Sequence, residues 1–229
     1  MILLASGRRH ENMLKFHRML GLNSPIVSCQ GALARETRTD EILHKQCMPA
    51  EPAADIVADG VSRGVTQVYY GMHATCVSTA DEWTALYNSR TATPLLTVPD
   101  LRDLRGDEPL KILWVNSAER IAALHREVAI SLAGSVETVI TDAEYLEFMA
   151  IGVTKSVGIA AVAERYGIAR TEVLAFGDGN NDVSMLEWAG LSVCMDHGRE
   201  SAKAAADLTA PDGDAETSFA RAVEMVISR

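Results

Sequence analysis

The sequence predicts an α/β protein in which a parallel-sheet domain is interrupted by a second, inserted α/β unit. The 229 residues open as strand, helix and strand, and strands alternate with helices again from residue 155 onward. This alternation is typical of a parallel sheet. From about Arg35 the order becomes less regular. We therefore expect a core domain formed by residues 1–34 and 145–229, and an inserted domain at residues 35–144.

Apolar spacing defines the opening unit. A short apolar run at residues 2–5 predicts a strand, and residues 11–20 place their apolar side chains at helical spacing. Gly21 is typical of the residue that follows a helix C-terminus. A second brief strand is expected at residues 26–28, which completes a strand–helix–strand unit.

The inserted region combines helices and short strands around a loop that is rich in proline and charge, at residues 94–109. Ser117 is a typical N-cap for the last of its helices. The predicted helices are 51–63, 81–87 and 117–132, and the predicted strands are 65–70, 75–78, 110–115, 136–140 and 145–148.

The closing region returns to regular alternation. Gly167 marks the end of its first helix, and Gly190 closes a later one. The predicted helices are 155–166, 181–188, 199–206 and 214–227, and the predicted strands are 172–176 and 191–195.

Composition narrows the possible partners. The formal net charge of −10 argues against binding to nucleic acid or to an anionic membrane surface, both of which favour a basic protein. No apolar run approaches the ~20 residues that a membrane-spanning helix needs, and residues 1–10 do not resemble a signal peptide. Four scattered cysteines suggest neither a disulfide framework nor a zinc site, so we expect a reducing cytoplasm.

An acid-rich turn at residues 177–182, GDGNND, follows a predicted buried strand. Carboxylates at the C-terminal end of such a strand face the crevice where open α/β sheets bind ligands. Asp178 and Asp182 there suggest Mg²⁺, which takes oxygen ligands and often shares a phosphate. Both residues are also typical helix caps, but the turn contains more acid than one cap requires.

Two further segments suggest a binding site for an anion. Ser6 and Gly7 follow the first strand, where a hydroxyl and free backbone N–H groups can hold a phosphate, although serine is equally common in ordinary turns. Lys155 falls in the first turn of a helix that Thr154 would cap. The helix dipole disfavours a cation there by several tenths of a kcal/mol. A bound anion would explain this position, and a solvated surface lysine is the alternative. His197 and Arg199 could line the same crevice, but a surface loop is the simpler interpretation.

In this order, these segments resemble the haloacid dehalogenase-like (HAD) phosphohydrolases, in particular the Cof-type subgroup with a large α/β cap. LLASGR at residues 3–8 resembles the second motif of that family, and PIVSCQGA at 25–32 resembles the stretch that leads into the cap. GVTKSVGIAAVAERYGI at 152–168 resembles the third motif, and VLAFGDGNNDVSMLEWAGLSVCM at 173–195 the fourth. KAAADLTA at 203–210 matches the usual tail.

The resemblance implies a fold with a Rossmann-like core and an inserted cap. It also implies the activity of a Mg²⁺-dependent phosphomonoester hydrolase. The implied substrates are small phosphorylated metabolites such as sugar phosphates, and the implied reaction passes through an aspartyl-phosphate. The implied site residues are Ser6, Gly7, Lys155 and Asn181 for the phosphate or substrate, Asp178 and Asp182 for the metal, and Lys155, Asp178 and Asp182 for catalysis.

Two departures from the family pattern affect these expectations. Gln30 stands where the family usually has Asn before Gly, which suggests a different substrate pocket. The first motif, Asp-x-Asp-Gly-Thr, which carries the nucleophile, does not occur in the 229 residues. The resemblance implies that its strand is central, between the strand before Ser6 and the strand before Asp178. Without it, either these two strands pair directly, or the chain is unstable alone, or a strand is supplied in trans.

These departures lead us to expect that the chain as written is inactive by itself, since covalent catalysis requires a positioned nucleophile. A non-catalytic phosphate-binding or regulatory relative of the phosphatases, or a truncated fragment, is the alternative interpretation.

Overall fold

The computed structural model describes residues 1–228 and arranges their strands in three sheets. The N-terminal sheet has the order β1-β2-β3-β4, the large sheet β7-β6-β5-β8-β10-β9, and the C-terminal sheet β11-β12-β13. The strands are β1 (Leu4–Ala5), β2 (Ile26–Ser28), β3 (Leu33–Arg35), β4 (Ile42–Lys45), β5 (Thr66–Tyr70), β6 (Thr75–Val77), β7 (Leu95–Thr97), β8 (Lys111–Val115), β9 (Glu137–Asp142), β10 (Tyr145–Met149), β11 (Leu174–Gly177), β12 (Leu191–Cys194) and β13 (Leu208–Thr209).

Eight α-helices in residues 1–228 complete the α/β fold that the sequence predicts. They are α1 (His10–Met19), α2 (Ala50–Ser62), α3 (Glu82–Thr91), α4 (Ala118–Ser131), α5 (Lys155–Arg165), α6 (Val183–Trp188), α7 (Glu200–Ala205) and α8 (Ser218–Ile227). Strands β1 and β2 run parallel across α1, and β11, β12 and β13 run parallel across α6 and α7. The alternating sequence pattern therefore correctly predicts parallel pairing in both regions.

Strands β1 and β11 do not pair with each other. Within residues 1–228, β1 pairs only with β2, and β11 pairs only with β12. Leu174 at the start of β11 is 40% exposed, whereas strands inside a covered parallel sheet are normally buried. The direct pairing that we considered from the sequence is thus not what the chain adopts.

Helix α5 connects the N-terminal and C-terminal sheets by packing. It contacts β2, β3 and β4 on one side and α6 on the other. The apolar cluster at this junction consists of Val27, Ala34, Ile159, Val162 and Met185. Burial of these side chains holds the two sheets together in the absence of shared backbone hydrogen bonds.

The large sheet is mostly antiparallel, and only β6 and β7 run parallel. Strand β10 pairs with β8 and β9, so residues 145–149 lie in the large sheet although we assigned them to the core domain. Strands β3 and β4 extend the N-terminal sheet. The division of the chain into domains stays a prediction.

Two predicted helix starts have different outcomes. Ser117 caps α4 as predicted, since its hydroxyl accepts the N–H of Arg120 at 3.3 Å. Thr154 precedes α5 but makes no side-chain cap, because its hydroxyl pairs with that of Ser156 at 2.8 Å.

The acidic turn is a short 3₁₀ helix at residues 180–182 that leads into α6, rather than the single helix expected from residue 181.

A tight turn at residues 29–31 determines how closely α5 approaches the N-terminal sheet. Cys29, Gln30 and Gly31 have φ values of 50°, 62° and 100°, in the left-handed region. A Cβ at Gly31 would lie 1.9 Å from the carbonyl oxygen of Thr154, and one at Gly158 would lie 2.6 Å from Val27 Cγ1. Glycine at these positions lets the first turn of α5 lie against the turn, which places Lys155 beside it.

Gly31→Ala should destabilise the protein by about 2–5 kcal/mol. The new methyl group adds a left-handed backbone cost of about 1–2 kcal/mol to an overpacking cost of about 1–3 kcal/mol. Gly64→Ala is the matched control, because Gly64 has φ +63° and open space around its Cβ position. Gly64→Ala should destabilise the protein by the backbone cost alone. Urea unfolding measures both, and equal losses would contradict the close packing.

Candidate active site

Ser6 and Gly7 form the loop that follows β1, and the turn at residues 29–31 holds this loop. The backbone N–H of Ser6 donates to the carbonyl of Val27 at 3.0 Å, and the Ser6 hydroxyl accepts the N–H of Arg8 at 3.2 Å. A Cβ at Gly7 would lie 2.4 Å from Gln30 Nε2. The loop is therefore in contact with the Gln30 side chain, and a larger residue at position 7 would have to displace the Gln30 amide.

Lys155 is buried at the first residue of α5. It is 6% exposed, and its Nζ donates to Asp182 Oδ1 of the acidic turn. Its burial excludes the solvated surface lysine that we considered from the sequence. A cation at a helix N-terminus is unfavourable by itself, and the Asp182 carboxylate compensates it.

Asp182 uses both carboxylate oxygens inside the protein. Besides the bond from Lys155, its Oδ2 accepts the backbone N–H groups of Asp178 at 2.8 Å and Gly179 at 2.9 Å. Burial alone would raise the pKa of Asp182, but the charge and hydrogen bond of Lys155 and the two backbone donors lower it below its usual value. The group is thus ionised and holds the turn in shape.

Asp178 presents its carboxylate to solvent, with 60% of its side chain exposed. The imidazole of His197 lies close to it, with Nε2 3.9 Å from Asp178 Oδ2. Asp196 orients this imidazole through a 3.1 Å contact to Nδ1. Arg199 donates its backbone N–H to the Asp178 carbonyl at 2.8 Å. The loop that carries His197 and Arg199 therefore packs against the acidic turn.

Asp196 is a further acidic residue at this edge that the sequence interpretation did not identify. It is held by Ser218 and by Arg221, whose Nη2 lies 2.9 Å from Asp196 Oδ2. The hydroxyl of Ser218, together with His197 and Arg221, keeps the pKa of Asp196 well below its usual range. Its carboxylate therefore stays ionised and available to orient His197.

Asn181 links the acidic turn to the turn at residues 29–31. Its Nδ2 donates to Gln30 Oε1 at 2.9 Å, and Gln30 Nε2 donates to Glu147 Oε2 at 3.0 Å. Glu147 lies on β10 and pairs with Lys111 on β8 at 2.8 Å, with both side chains buried. Sequence reasoning missed this connection. The sequence feature that could have indicated it is a charged residue in each of two otherwise apolar strands.

Two concave regions of the large sheet lie away from these residues. They have volumes of about 580 Å³ and about 310 Å³, and Tyr69 lines both. His73 lines the smaller one, whereas Tyr70 and Trp114 belong to the apolar core. None of the predicted site residues lines either cavity.

The donor set of the site fits a hard cation that shares a phosphate. Within residues 1–228, no three His, Cys, Asp or Glu side chains converge on a common metal position. Asp178 offers one solvent-facing carboxylate, and Mg²⁺ is commonly held by one or two carboxylates together with water and phosphate oxygens. Lys155, Ser6 and Asn181 lie on the neighbouring segments and offer donors for such a phosphate.

These features define an α/β protein with carboxylates at the C-terminal ends of parallel strands. The family profile described as haloacid dehalogenase-like hydrolase matches residues 1–223, and the chain belongs to this family. It is 25% identical over 219 residues to 5-amino-6-(5-phospho-D-ribitylamino)uracil phosphatase YitU of Bacillus subtilis, which covers 91% of this chain and 78% of the relative. A putative phosphatase of Haemophilus influenzae is 26% identical over 211 residues, covering 89% and 76% of the two chains. Family and relatives together support a phosphatase.

Solved structures share the fold at low sequence identity. The subclass IIB sugar phosphatase BT4131 superposes with a TM-score of 0.85 at 23% identity, covering 98% of this chain and 85% of that chain. A putative HAD/COF-like hydrolase from Plasmodium vivax reaches a TM-score of 0.89 at 16% identity, covering 100% and 83%. These likenesses confirm the predicted fold. None of the helices described is both long and apolar enough to cross a bilayer.

Asp182→Asn should lower the unfolding free energy by about 3–5 kcal/mol, because it leaves the buried Lys155 charge uncompensated. The amide also offers one acceptor oxygen where the carboxylate accepts three hydrogen bonds. Glu200→Gln is the control, since Glu200 pairs with Lys203 at 3.4 Å with a side chain that is 93% exposed, and it should cost under about 1 kcal/mol. Urea unfolding at pH 7 compares them, and a small loss for Asp182→Asn would contradict the buried pair.

The same pair predicts a pH dependence of stability. Because folding lowers the pKa of Asp182, its contribution is fully present above the unfolded value of about 3.9 and is lost as pH falls through the folded value. The stability difference between the wild type and Asp182→Asn should stay constant from neutral pH to about pH 5 and shrink below about pH 4. Urea titrations at each pH measure it, and an unchanged difference in acid would refute the assignment.

Proposed function

We propose that this chain carries the phosphate- and cation-binding part of a Mg²⁺-dependent phosphomonoester hydrolase that acts on small phosphorylated metabolites such as sugar phosphates. The observation that supports this most strongly is the buried Lys155 beside the acidic turn of a HAD-family chain. A lysine held by Asp182 at the N-terminus of α5 can help to offset phosphoryl charge.

Each site residue receives a role from its contacts. The Ser6 hydroxyl, the Gly7 N–H and the Asn181 amide would bind phosphoryl oxygens, and Lys155 would neutralise their charge. Asp178 would hold Mg²⁺, which supplies further charge neutralisation when bound. Asp182 is also implied as a metal ligand, but its oxygens already accept bonds from Lys155, Asp178 and Gly179. We therefore assign it chiefly to positioning the lysine and the turn.

The names of related proteins support the substrate class. YitU is named for a phosphate ester on a ribityl chain, and BT4131 is described as a sugar phosphatase. Both substrates are small polyhydroxylated phosphate monoesters. We propose this class of substrate for the present chain and name no individual compound.

A reducing cytoplasm is the setting that we propose. All four cysteines are free thiols, and Cys29, Cys76 and Cys194 are buried. Unpaired buried thiols are typical of proteins from reducing compartments.

A non-catalytic phosphate-binding or regulatory relative, or a truncated fragment, is the second candidate. The observation that favours it is the lack of an Asp-x-Asp-Gly-Thr segment in the 229 residues. An aspartyl-phosphate route requires a carboxylate nucleophile. Asp182 and Asp196 are both engaged in ion pairs and hydrogen bonds, which makes them unsuitable for that task.

We expect the 229-residue chain to bind inorganic phosphate in a Mg²⁺-dependent manner without hydrolysing an aryl phosphate. Calorimetric titration of phosphate with and without MgCl₂ measures binding, and release of the aryl alcohol measures turnover. Asp178→Ala should remove the Mg²⁺ dependence, whereas Asp212→Ala, which removes an exposed acid from another loop, should not. Turnover that Asp178→Ala abolishes would overturn the expected inactivity, and binding that ignores Asp178 would reject the site.

A longer chain that adds a strand ending in Asp-x-Asp-Gly-Thr before Met1 separates the two candidates. The enzyme interpretation expects Mg²⁺-dependent turnover, which Lys155→Ala should then reduce by about 10²–10³-fold, as loss of one transition-state donor does. A folded, phosphate-binding but inactive longer chain would favour the non-catalytic relative.

A further inference from the structure

The side chain of Gln30 touches three segments that are distant in sequence. It is 3% exposed, its Nε2 donates to Glu147 of β10, and its Oε1 accepts from Asn181 of the acidic turn. The space in which Gly7 would carry a side chain is filled by the same amide, 2.4 Å from the Cβ position. One amide group thus lies against the large sheet, the acidic turn and the loop after β1.

The large-sheet end of this connection is rigid. Glu147 accepts hydrogen bonds from Lys111 Nζ at 2.8 Å and from the Thr141 hydroxyl at 3.1 Å, besides that from Gln30. The Lys111 ammonium also lies 4.5 Å from the centre of the Tyr70 ring. A buried carboxylate with three donors has one orientation, because rotating it would leave buried donors without a partner.

The carboxylate in turn determines which way the Gln30 amide points. A carboxylate only accepts hydrogen bonds, so the NH₂ end of Gln30 must face Glu147 and its oxygen must face Asn181. That oxygen takes one of the two Asn181 Nδ2 hydrogens, and the second hydrogen remains for a ligand. The orientation of Asn181 therefore depends on Glu147 through Gln30.

The backbone conformation at position 30 is energetically unfavourable for a residue other than glycine. The length of the glutamine side chain explains why glutamine nevertheless occupies it. Gln30 has φ 62° and ψ 20°, and residues other than glycine are disfavoured in this region. Short Asn and Asp are the usual exceptions. Asparagine is shorter by one methylene, about 1.5 Å, and would not span the same gap. Strained residues of this kind persist where their surroundings determine them, often at functional sites.

We propose that Gln30 is a positioning residue that couples Glu147 of the large sheet to Asn181 of the acidic turn. Resting on the proposed function, this coupling makes phosphate affinity at Ser6, Lys155 and Asn181 depend on how the large sheet sits over the site. The pair Lys111–Glu147 then orients the phosphate site without touching the phosphate.

Gln30→Asn tests the coupling, because it keeps the amide group but shortens the side chain by one methylene, so that the amide no longer spans the gap. Hydrogen exchange of the 229-residue chain should accelerate about tenfold in both residues 145–149 and residues 178–182, as loss of a coupled interaction predicts. The matched control is Gln67→Asn. Gln67 on β5 is equally buried, and its amide bonds Val57 of α2 and Trp114 of β8, away from the acidic turn. It should leave exchange at 178–182 unchanged, and the same result for Gln30→Asn would overturn the proposal.

Phosphate affinity supplies a second readout that loss of stability alone would not move. With Mg²⁺ present, Gln30→Ala should weaken inorganic phosphate binding about tenfold, whereas Gln67→Asn should not change it. In an Asn181→Ala background, Gln30→Ala should have no further effect, and additive losses would contradict action through Asn181. If the wild type binds no phosphate, the proposed function fails, and the exchange experiment alone still decides the coupling.

Discussion

The buried ion pair between Lys155 and Asp182 is the interaction on which the site depends. Removing two charges from water costs several kcal/mol per ion unless their remaining hydrogen-bonding groups are satisfied. Asp182 meets this condition, since its second oxygen accepts the backbone N–H groups of Asp178 and Gly179. As a result the lysine stays at the N-terminus of α5, the acidic turn keeps one shape, and the Asp178 carboxylate remains turned to solvent.

The second constraint is the way in which the N-terminal and C-terminal sheets are joined. Strands β1 and β11 share no hydrogen bonds, so their relative position depends on α5 and on side chains between the turns. Gly31 lets α5 approach the turn at residues 29–31, and Gln30 connects that turn to Asn181. A site assembled by side chains in this way is more sensitive to single substitutions than one built on a continuous sheet.

Sequence reasoning identified the residues of the site better than their tasks. The position of Lys155 against a helix dipole suggested a bound anion, and the structure shows the Asp182 carboxylate beside this lysine. Reasoning from residue type alone treated Asp178 and Asp182 alike, because both are carboxylates in one turn. Their difference comes from burial, since Asp182 is 4% exposed and the Asp178 side chain is 60% exposed. Lys111 and Glu147 were overlooked because their strands are otherwise apolar.

Strands β3, β4, β7 and β13 were not predicted, and β7 lies in the segment expected to be a loop. The sequence by itself determined the α/β class, the order of the helices and of the other nine strands, the cap of α4 at Ser117 and membership of the HAD family. These properties depend on periodicity, capping and motifs within short segments, which neighbouring residues encode. Only the tertiary structure decided that Asp182 is engaged while Asp178 is free, and that Gln30 reaches the large sheet. The Gln30 amide joins partners 117 and 151 residues away in the chain, and such contacts depend on distances that no local pattern specifies.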